Sequence, residues 1–240
     1  MLSSMLFMHP RDIGLFLRSA RTDATVARRR ATIGAAAAFD EVYAGQDPWA
    51  SADPRYRYQR RKYEVLASLL PPGRRFPHAL DLGTGHGLLA RLLAPHADEV
   101  LGLDISAVAV GQARTLNRDL PNLSFAQASL LDLPASLDAS FDLVVIADTI
   151  YYLPPPIADA TLKHLALRIA RLLRPGGLCL LANHFFFAAD PDSRLSRRIH
   201  RAFAWSPGLA VLSEHRRPFY LVTLLGLAGE DRHHPHPDQP

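Results

Sequence analysis

The stretch "HALDLGTGHGLLARLLA", residues 78–94, restricts the possible folds of this chain more than any other. A short apolar run ends in Asp81-x-Gly83-x-Gly85-x-Gly87 and leads directly into apolar residues at helical spacing. A glycine-rich turn between a strand and a helix lets backbone approach a ligand closely. It also aims the free N–H groups of the helix start at that ligand.

The segments that follow keep the same alternation. "EVLGLDIS", "LSFAQAS", "FDLVVIAD" and "LCLLANHFF" read as strands. "GLLARLLAPH", "AVAVGQARTLNRDL" and "ADATLKHLALRIARLLRPGG" read as helices. Strands alternating with helices imply βαβ units, a parallel sheet and right-handed crossovers. The end differs: "GLAVLSEHRRPFYLVTLLGL" holds two strand-like runs with almost nothing between them. Only an antiparallel pair can be joined so tightly. The expected fold is therefore α/β, Rossmann-like and doubly wound. Its seven-stranded sheet is mostly parallel, with an antiparallel C-terminal hairpin and helices on both faces.

A chain of 240 residues, 48% hydrophobic and 21% charged, has the size and composition of one sizeable globular domain. We expect that domain over residues 39–228, with an aromatic N-terminal lid and helix at 39–73 and a core at 78–228. Residues 1–38 read as a basic, flexible extension. Six arginines against Asp12 and Asp23 there account for the whole net charge of +4. The remaining body is formally neutral, which argues against a nucleic-acid groove. The tail at 229–240 lacks apolar periodicity and is expected to be disordered. Proline separates His236 from His233 and His234, so no metal site is expected there. Cys179, the only cysteine, sits in an apolar run and suits core packing. No apolar run is long enough to span a bilayer, and the first residues lack a basic segment ahead of an apolar one. A cytoplasmic protein is expected.

The glycine spacing separates two ligand classes. A dinucleotide fingerprint would place its third glycine at position 88, which is Leu88. Asp81 would repel a pyrophosphate, but it suits a ligand bearing an ammonium group. Asp104 closes the second strand about 20 residues further on, where an acid can take both hydroxyls of a ribose. Together these features point to a nucleoside cofactor that carries an amino acid.

In these residues the chain resembles the class I S-adenosylmethionine-dependent methyltransferases. "LDLGTGHG" is similar to their first motif, "GLDIS" to their acidic second strand end, and "FAQASLLDLP" to their adenine-side loop. "FDLVVIADTIYYL" and "LLRPGGLCLLANH" are similar to their fourth and fifth strands. The resemblance implies S-adenosylmethionine as cofactor. It implies contacts from Tyr58, Lys62, Asp81, Gly83, Thr84, Gly85, Gly87, Asp104, Ile105, Ser129, Leu130 and Asp148. Ala128-Ser129 stands where many members have Gly-Asp, so Asp132 competes with Ser129 for the adenine contact.

The front segment narrows the resemblance. "FDEVYAGQDPWA" followed by "YQRRKYEVLASLLP" is similar to the nodulation-type, NodS-like N-methyltransferases, with Gln59 where that family usually has glutamate. The resemblance implies N-methylation of a small molecule such as an amino sugar or deacylated oligosaccharide. Phe39, Tyr43, Trp49, Tyr56 and Tyr58 crowd this segment, and aromatic faces suit a sulfonium; core packing is the alternative for about half of them. Lys62 either meets the cofactor carboxylate or lies on the surface.

Methyl transfer from a sulfonium requires alignment and a dry pocket, and no metal. His184, after the fifth strand, is the candidate base, because imidazole titrates near neutrality; orienting the substrate is its other reading. Trp49, Tyr151 and Tyr152 are candidate acceptor contacts. Phe185, Phe186 and Phe187 are a floor or part of the core, and His200 and His215 are weaker candidates. O-methylation of a natural product is the rival chemistry. A cofactor-binding protein without turnover is a third reading. The turn "ADTIYYL" lacks the Asn/Asp-Pro-Pro-Tyr/Phe sequence of base-amino methylation, so nucleic acid is disfavoured as the acceptor.

Overall fold

The computed structural model describes residues 13–45, 47–51, 53, 55–186, 190–217 and 219–228. The tail at 229–240 with its histidines, the first twelve residues and Phe187 lie outside the described residues. Seven strands form one sheet: β1 (Phe76–Leu82), β2 (Ala97–Asp104), β3 (Leu123–Gln127), β4 (Phe141–Ala147), β5 (Leu173–Phe185), β6 (Leu209–Arg217) and β7 (Phe219–Leu227). Their order is β3-β2-β1-β4-β5-β7-β6. β1 to β5 pair in parallel, while β7 runs antiparallel to both β5 and β6. The predicted Rossmann-like sheet and its C-terminal hairpin are both present.

The apolar runs in β4 and β5 belong to strands buried on both faces. Leu143, Val145, Leu178 and Leu180 point into one core, under the helices α3 (Arg57–Ser68), α4 (Leu88–Leu93) and α5 (Ala107–Leu116). Their neighbours Val144, Ile146, Cys179 and Leu181 point into the other, under α6 (Asp159–Leu172) and α7 (Pro191–Ala204). This alternation is the two-residue period of a strand. Cys179 is buried as expected, and burial pushes its thiol up to about 12.

Three elements differ from the sequence reading. The α6 helix stops at Leu172, and the "RPGG" that follows belongs to β5. α7 was not expected, although Asp190 caps it by accepting the Ser193 N–H (2.8 Å) and Pro191 opens it.

The third difference is the N-terminal segment. Residues 1–38 were expected to be a flexible extension, yet Ile13–Ile33 forms helix α1 and Ala35–Gly45 forms α2. α1 is tied to the body by specific bonds. Thr22 Oγ1 donates to the Pro48 carbonyl (2.6 Å), and Arg18 to the Asp47 carbonyl (2.8 Å). Arg30 donates to the Tyr152 carbonyl (2.6 Å) and to that of Leu153 (3.1 Å). Some of the arginines that suggested a solvated leader are therefore donors to carbonyls at loop ends. No helix among the described residues is long and apolar enough to cross a membrane.

Candidate active site

The order reverses between β1 and β4, the switch point at which open α/β sheets bind ligands beyond their strand ends. A cavity of ≈ 680 Å³ opens there, lined from the sheet side by the glycine turn, Asp104, Asp148 and His184. From the other side it is lined by α1, α2 and α3.

Gly85 adopts φ +52°, and a Cβ there would lie 2.7 Å from Tyr43 Oη. Bare backbone is all that fits between the strand end and that ring. Its N–H donates to Asp104 Oδ2 (2.8 Å), while Asp104 Oδ1 accepts the Ser106 N–H (2.9 Å). Each carboxylate oxygen keeps a lone pair for a further donor. Burial raises the Asp104 pKa, against the pull of the Ser106 and Gly85 N–H groups. Asp40 of α2 accepts the Ser106 hydroxyl (2.6 Å) and the Val108 N–H (3.2 Å), so the N-terminal helices brace this turn.

Two expected contacts fall elsewhere. Asp81 is buried and is not among the cavity lining. Its Oδ2 accepts the Thr84 hydroxyl (2.7 Å), which holds the turn closed from behind, and burial raises its pKa to about 6. Gly87 also lies off the cavity: a Cβ there would meet the Phe125 ring at 2.7 Å and the Asn117 amide at 2.8 Å. It is a packing glycine at the start of α4, where its φ is +75°.

Gly83, Thr84, Ile105, Ser129 and Leu130 line the cavity as expected, whereas Asp132 is exposed and does not. Tyr58 lines it as well and is buried. Lys62 is only 3% exposed, which removes the surface reading, and its ammonium pairs with Asp148. Asp148 has φ +53°, a non-glycine strain of about 1–3 kcal/mol. Its N–H donates to the Ala182 carbonyl (2.9 Å), which fixes the conformation. Asp148 Oδ1 is buried and accepts no hydrogen bond among the described residues. Lys62 and Asp148 thus offer a cation and a free carboxylate oxygen side by side, matching the two charges of an amino-acid group.

Aromatic rings wall the rest of the cavity. Tyr151 stands edge-on to His184 at 4.3 Å and beside Tyr152 at 4.5 Å; Tyr152 meets Phe39 at 5.4 Å and Trp49 at 5.9 Å. Phe186 lines the cavity, but Phe185 is buried, with Arg197 and Arg216 over its ring. His200 is buried elsewhere against Thr223 (2.7 Å), with its pKa pushed down to about 3, and neither it nor His215 lines the cavity. Sequence reasoning missed His86, which lines the cavity and shares a hydrogen bond with Gln112 (2.8 Å). It also missed Asp23 of α1. Asp23 Oδ1 accepts the Trp49 indole N–H (2.7 Å) and the Tyr152 hydroxyl, and burial raises its pKa. The available signal was Ala20, Ala24 and Ala27, a small-residue stripe at helical spacing that lines the cavity beside Asp23.

Residues 79–177 match the family model described as a methyltransferase domain. Over these residues the chain is similar to methyltransferase domains, and it resembles the class I S-adenosylmethionine-dependent methyltransferases. Among them it resembles the nodulation-type enzymes. It is 27% identical over 171 residues to nodulation protein S of Sinorhizobium fredii, covering 71% of this chain and 73% of that one. It shares its fold with the N-methyltransferase NodS of Bradyrhizobium japonicum, solved in complex with S-adenosyl-L-homocysteine. The TM-score is 0.67 at 18% identity, over 81% of this chain and 98% of that one. "Probable methyltransferase ltbC" of Aspergillus luteorubrus is 32% identical over 140 residues, and the match covers 53% of this chain and 48% of that relative. A ubiquinone biosynthesis O-methyltransferase of Albidiferax ferrireducens is 32% identical over 100 residues, covering 41% of this chain and 37% of that one.

Proposed function

We propose that this chain methylates an amine nitrogen of a small, hydroxyl-rich molecule, such as an amino sugar or deacylated oligosaccharide, in the cytoplasm. The observation that carries this reading is one continuous cavity. It brings the Gly83–Gly85 turn and Asp104 into one space with Trp49, Tyr151, Tyr152 and His184. The bare backbone at Gly85 and the orphan Asp148 Oδ1 fit S-adenosylmethionine. Asp104 would take the ribose hydroxyls, Ser129 and Leu130 the adenine side, and Lys62 with Asp148 the amino-acid end. When bound, this cofactor supplies a methyl group already activated on a sulfonium.

The protein then aligns the acceptor and keeps water out. An amine held here would lose its proton to water or to His184 before its nitrogen takes the methyl group. Titration calorimetry with S-adenosylmethionine tests the cofactor, and product mass spectrometry on paired amino sugars and sugars tests the acceptor. Methyl groups on nitrogen are the expected result; methyl groups on oxygen alone overturn it. O-methylation is the second reading, supported by His184 in the cavity and by the similarity to ubiquinone biosynthesis O-methyltransferases.

A further inference from the structure

We propose that Asp23, on the N-terminal helix α1, holds the acceptor's amine as an ammonium beside the packed ring pair of Trp49 and Tyr152. This rests on the N-methylation reading and names the residue that would select an amine over an alcohol. Asp23, Asp104, Asp148 and Asp192 are the carboxylates lining the cavity. Asp104 is engaged by two backbone N–H groups and Asp148 by Lys62, and Asp192 is exposed. Asp23 differs: among the described residues its hydrogen bonds come from two neutral donors, both on Oδ1. Oδ2 accepts none among the described residues, and no cation there neutralises the carboxylate by a salt bridge.

The walls around this charge suit the same ligand. Trp49 and Tyr152 both bond Asp23, and Phe39 meets Tyr152 edge-on at 5.4 Å and Trp49 at 6.1 Å. Trp49 and Tyr152 turn their N–H and O–H edges to Asp23, so the charge of the carboxylate is what attracts a cation there. A neutral hydroxyl can donate a hydrogen bond to it but gains no charge attraction. His184 lines the same cavity, where it can take the proton that the ammonium must lose before its nitrogen attacks. Asp23 would thus be a positioning and specificity residue.

A purely structural role would require Asp23 only as an acceptor for Trp49 and Tyr152. Asp23→Asn keeps an acceptor oxygen for both donors and removes the charge, so it separates the two roles. The full chain, saturated with S-adenosyl-L-homocysteine, is titrated with two isosteric pairs: glucosamine against glucose, and cyclohexylammonium against cyclohexanol. We expect the wild type to bind each cation at least tenfold more tightly than its neutral partner. Asp23→Asn should abolish that preference, while Asp119→Asn, outside the cavity, keeps it. Equal cation binding by wild type and Asp23→Asn overturns the proposal, as does a wild type that binds neither cation while binding S-adenosyl-L-homocysteine. Asp23→Ala, scored by thermal melting, shows whether the carboxylate is also needed for folding. Failure of the N-methylation reading would appear separately, as methyl groups found only on oxygen.

Discussion

At the scale of single residues, the site separates carboxylates that face the cavity from one that supports it. Asp81 was legible in the sequence as part of the glycine motif, but its orientation was not. It points behind the turn, into the core under α4, with its pKa raised to about 6. A carboxyl whose folded pKa exceeds its unfolded value favours folding at low pH, and that contribution fades as pH rises. The shift of about two units corresponds to about 3 kcal/mol, lost between about pH 4 and pH 6. Asp81→Asn keeps the acceptor for Thr84 and removes the titration. Below pH 4 the variant should match the wild type in denaturant unfolding, and above pH 6 it should gain on it by up to about 3 kcal/mol. A constant difference across that range would place the Asp81 charge in contact with solvent. His184 carries a second test. If it accepts the proton, His184→Ala should lower turnover about 10²–10⁴-fold with cofactor affinity unchanged. Raising the pH should partly rescue an amine acceptor, which can deprotonate in water, but not an alcohol. Wild-type turnover in the variant at every pH would remove His184 from proton transfer.

At the scale of elements, what the sequence disclosed depended on whether an element's periodicity was self-sufficient. β1, β2, β4 and β5 are apolar runs bounded by turn residues, and the hairpin β6–β7 is read from its short connection. α1 could not be read this way. Its buried contacts depend on Thr22, Asp23 and Arg30 reaching particular carbonyls and side chains of distant loops, a pattern that local composition does not reveal. Its arginines instead suggested a solvated leader. α7 was missed because its buried face includes Ser193, Ser196 and His200, polar residues in an apolar-stripe position. In the cavity, Gly83, Gly85 and Asp104 were legible from the glycine motif, and Trp49, Tyr151, Tyr152 and His184 from their places near strand ends and in the aromatic front; Asp23 was not, because α1 supplies it. A chain beginning at Thr32 should therefore lose the Asp23, Thr22, Arg18 and Arg30 bonds. Those four residues make six hydrogen bonds to the body; at about 1 kcal/mol each, the loss is about 6 kcal/mol. Melting should fall by about 12–24 °C, at about 2–4 °C per kcal/mol for this size. An unchanged Tm with unchanged ligand binding would show that α1 does not form part of the site.

At the scale of the whole molecule, the cavity concentrates charge that the chain's own groups pair poorly. Asp104 is buried, Asp148 is strained, and Asp23 has no salt bridge among the described residues. Elements distant in the chain converge there: α1 and α2 from the front, and His184 of β5, Phe186 and Asp192 of α7 from the second half. A ligand that engages these groups binds the folded chain and not the unfolded one, so it must stabilise the molecule by mass action. At a concentration 100-fold above its Kd, S-adenosyl-L-homocysteine should add about 2.7 kcal/mol. That is a rise in Tm of about 5–11 °C. NAD, whose pyrophosphate finds Leu88 where the fingerprint needs glycine, should add nothing measurable. Asp104→Ala removes the acceptor for ribose hydroxyls and should weaken cofactor binding by about 2–5 kcal/mol, erasing most of the rise at the same concentration. Scanning calorimetry of wild type and variant with each ligand distinguishes the outcomes. A rise with NAD equal to that with S-adenosyl-L-homocysteine would make the glycine turn a general nucleotide cradle. A rise preserved in a folded Asp104→Ala variant would move the ribose away from the end of β2.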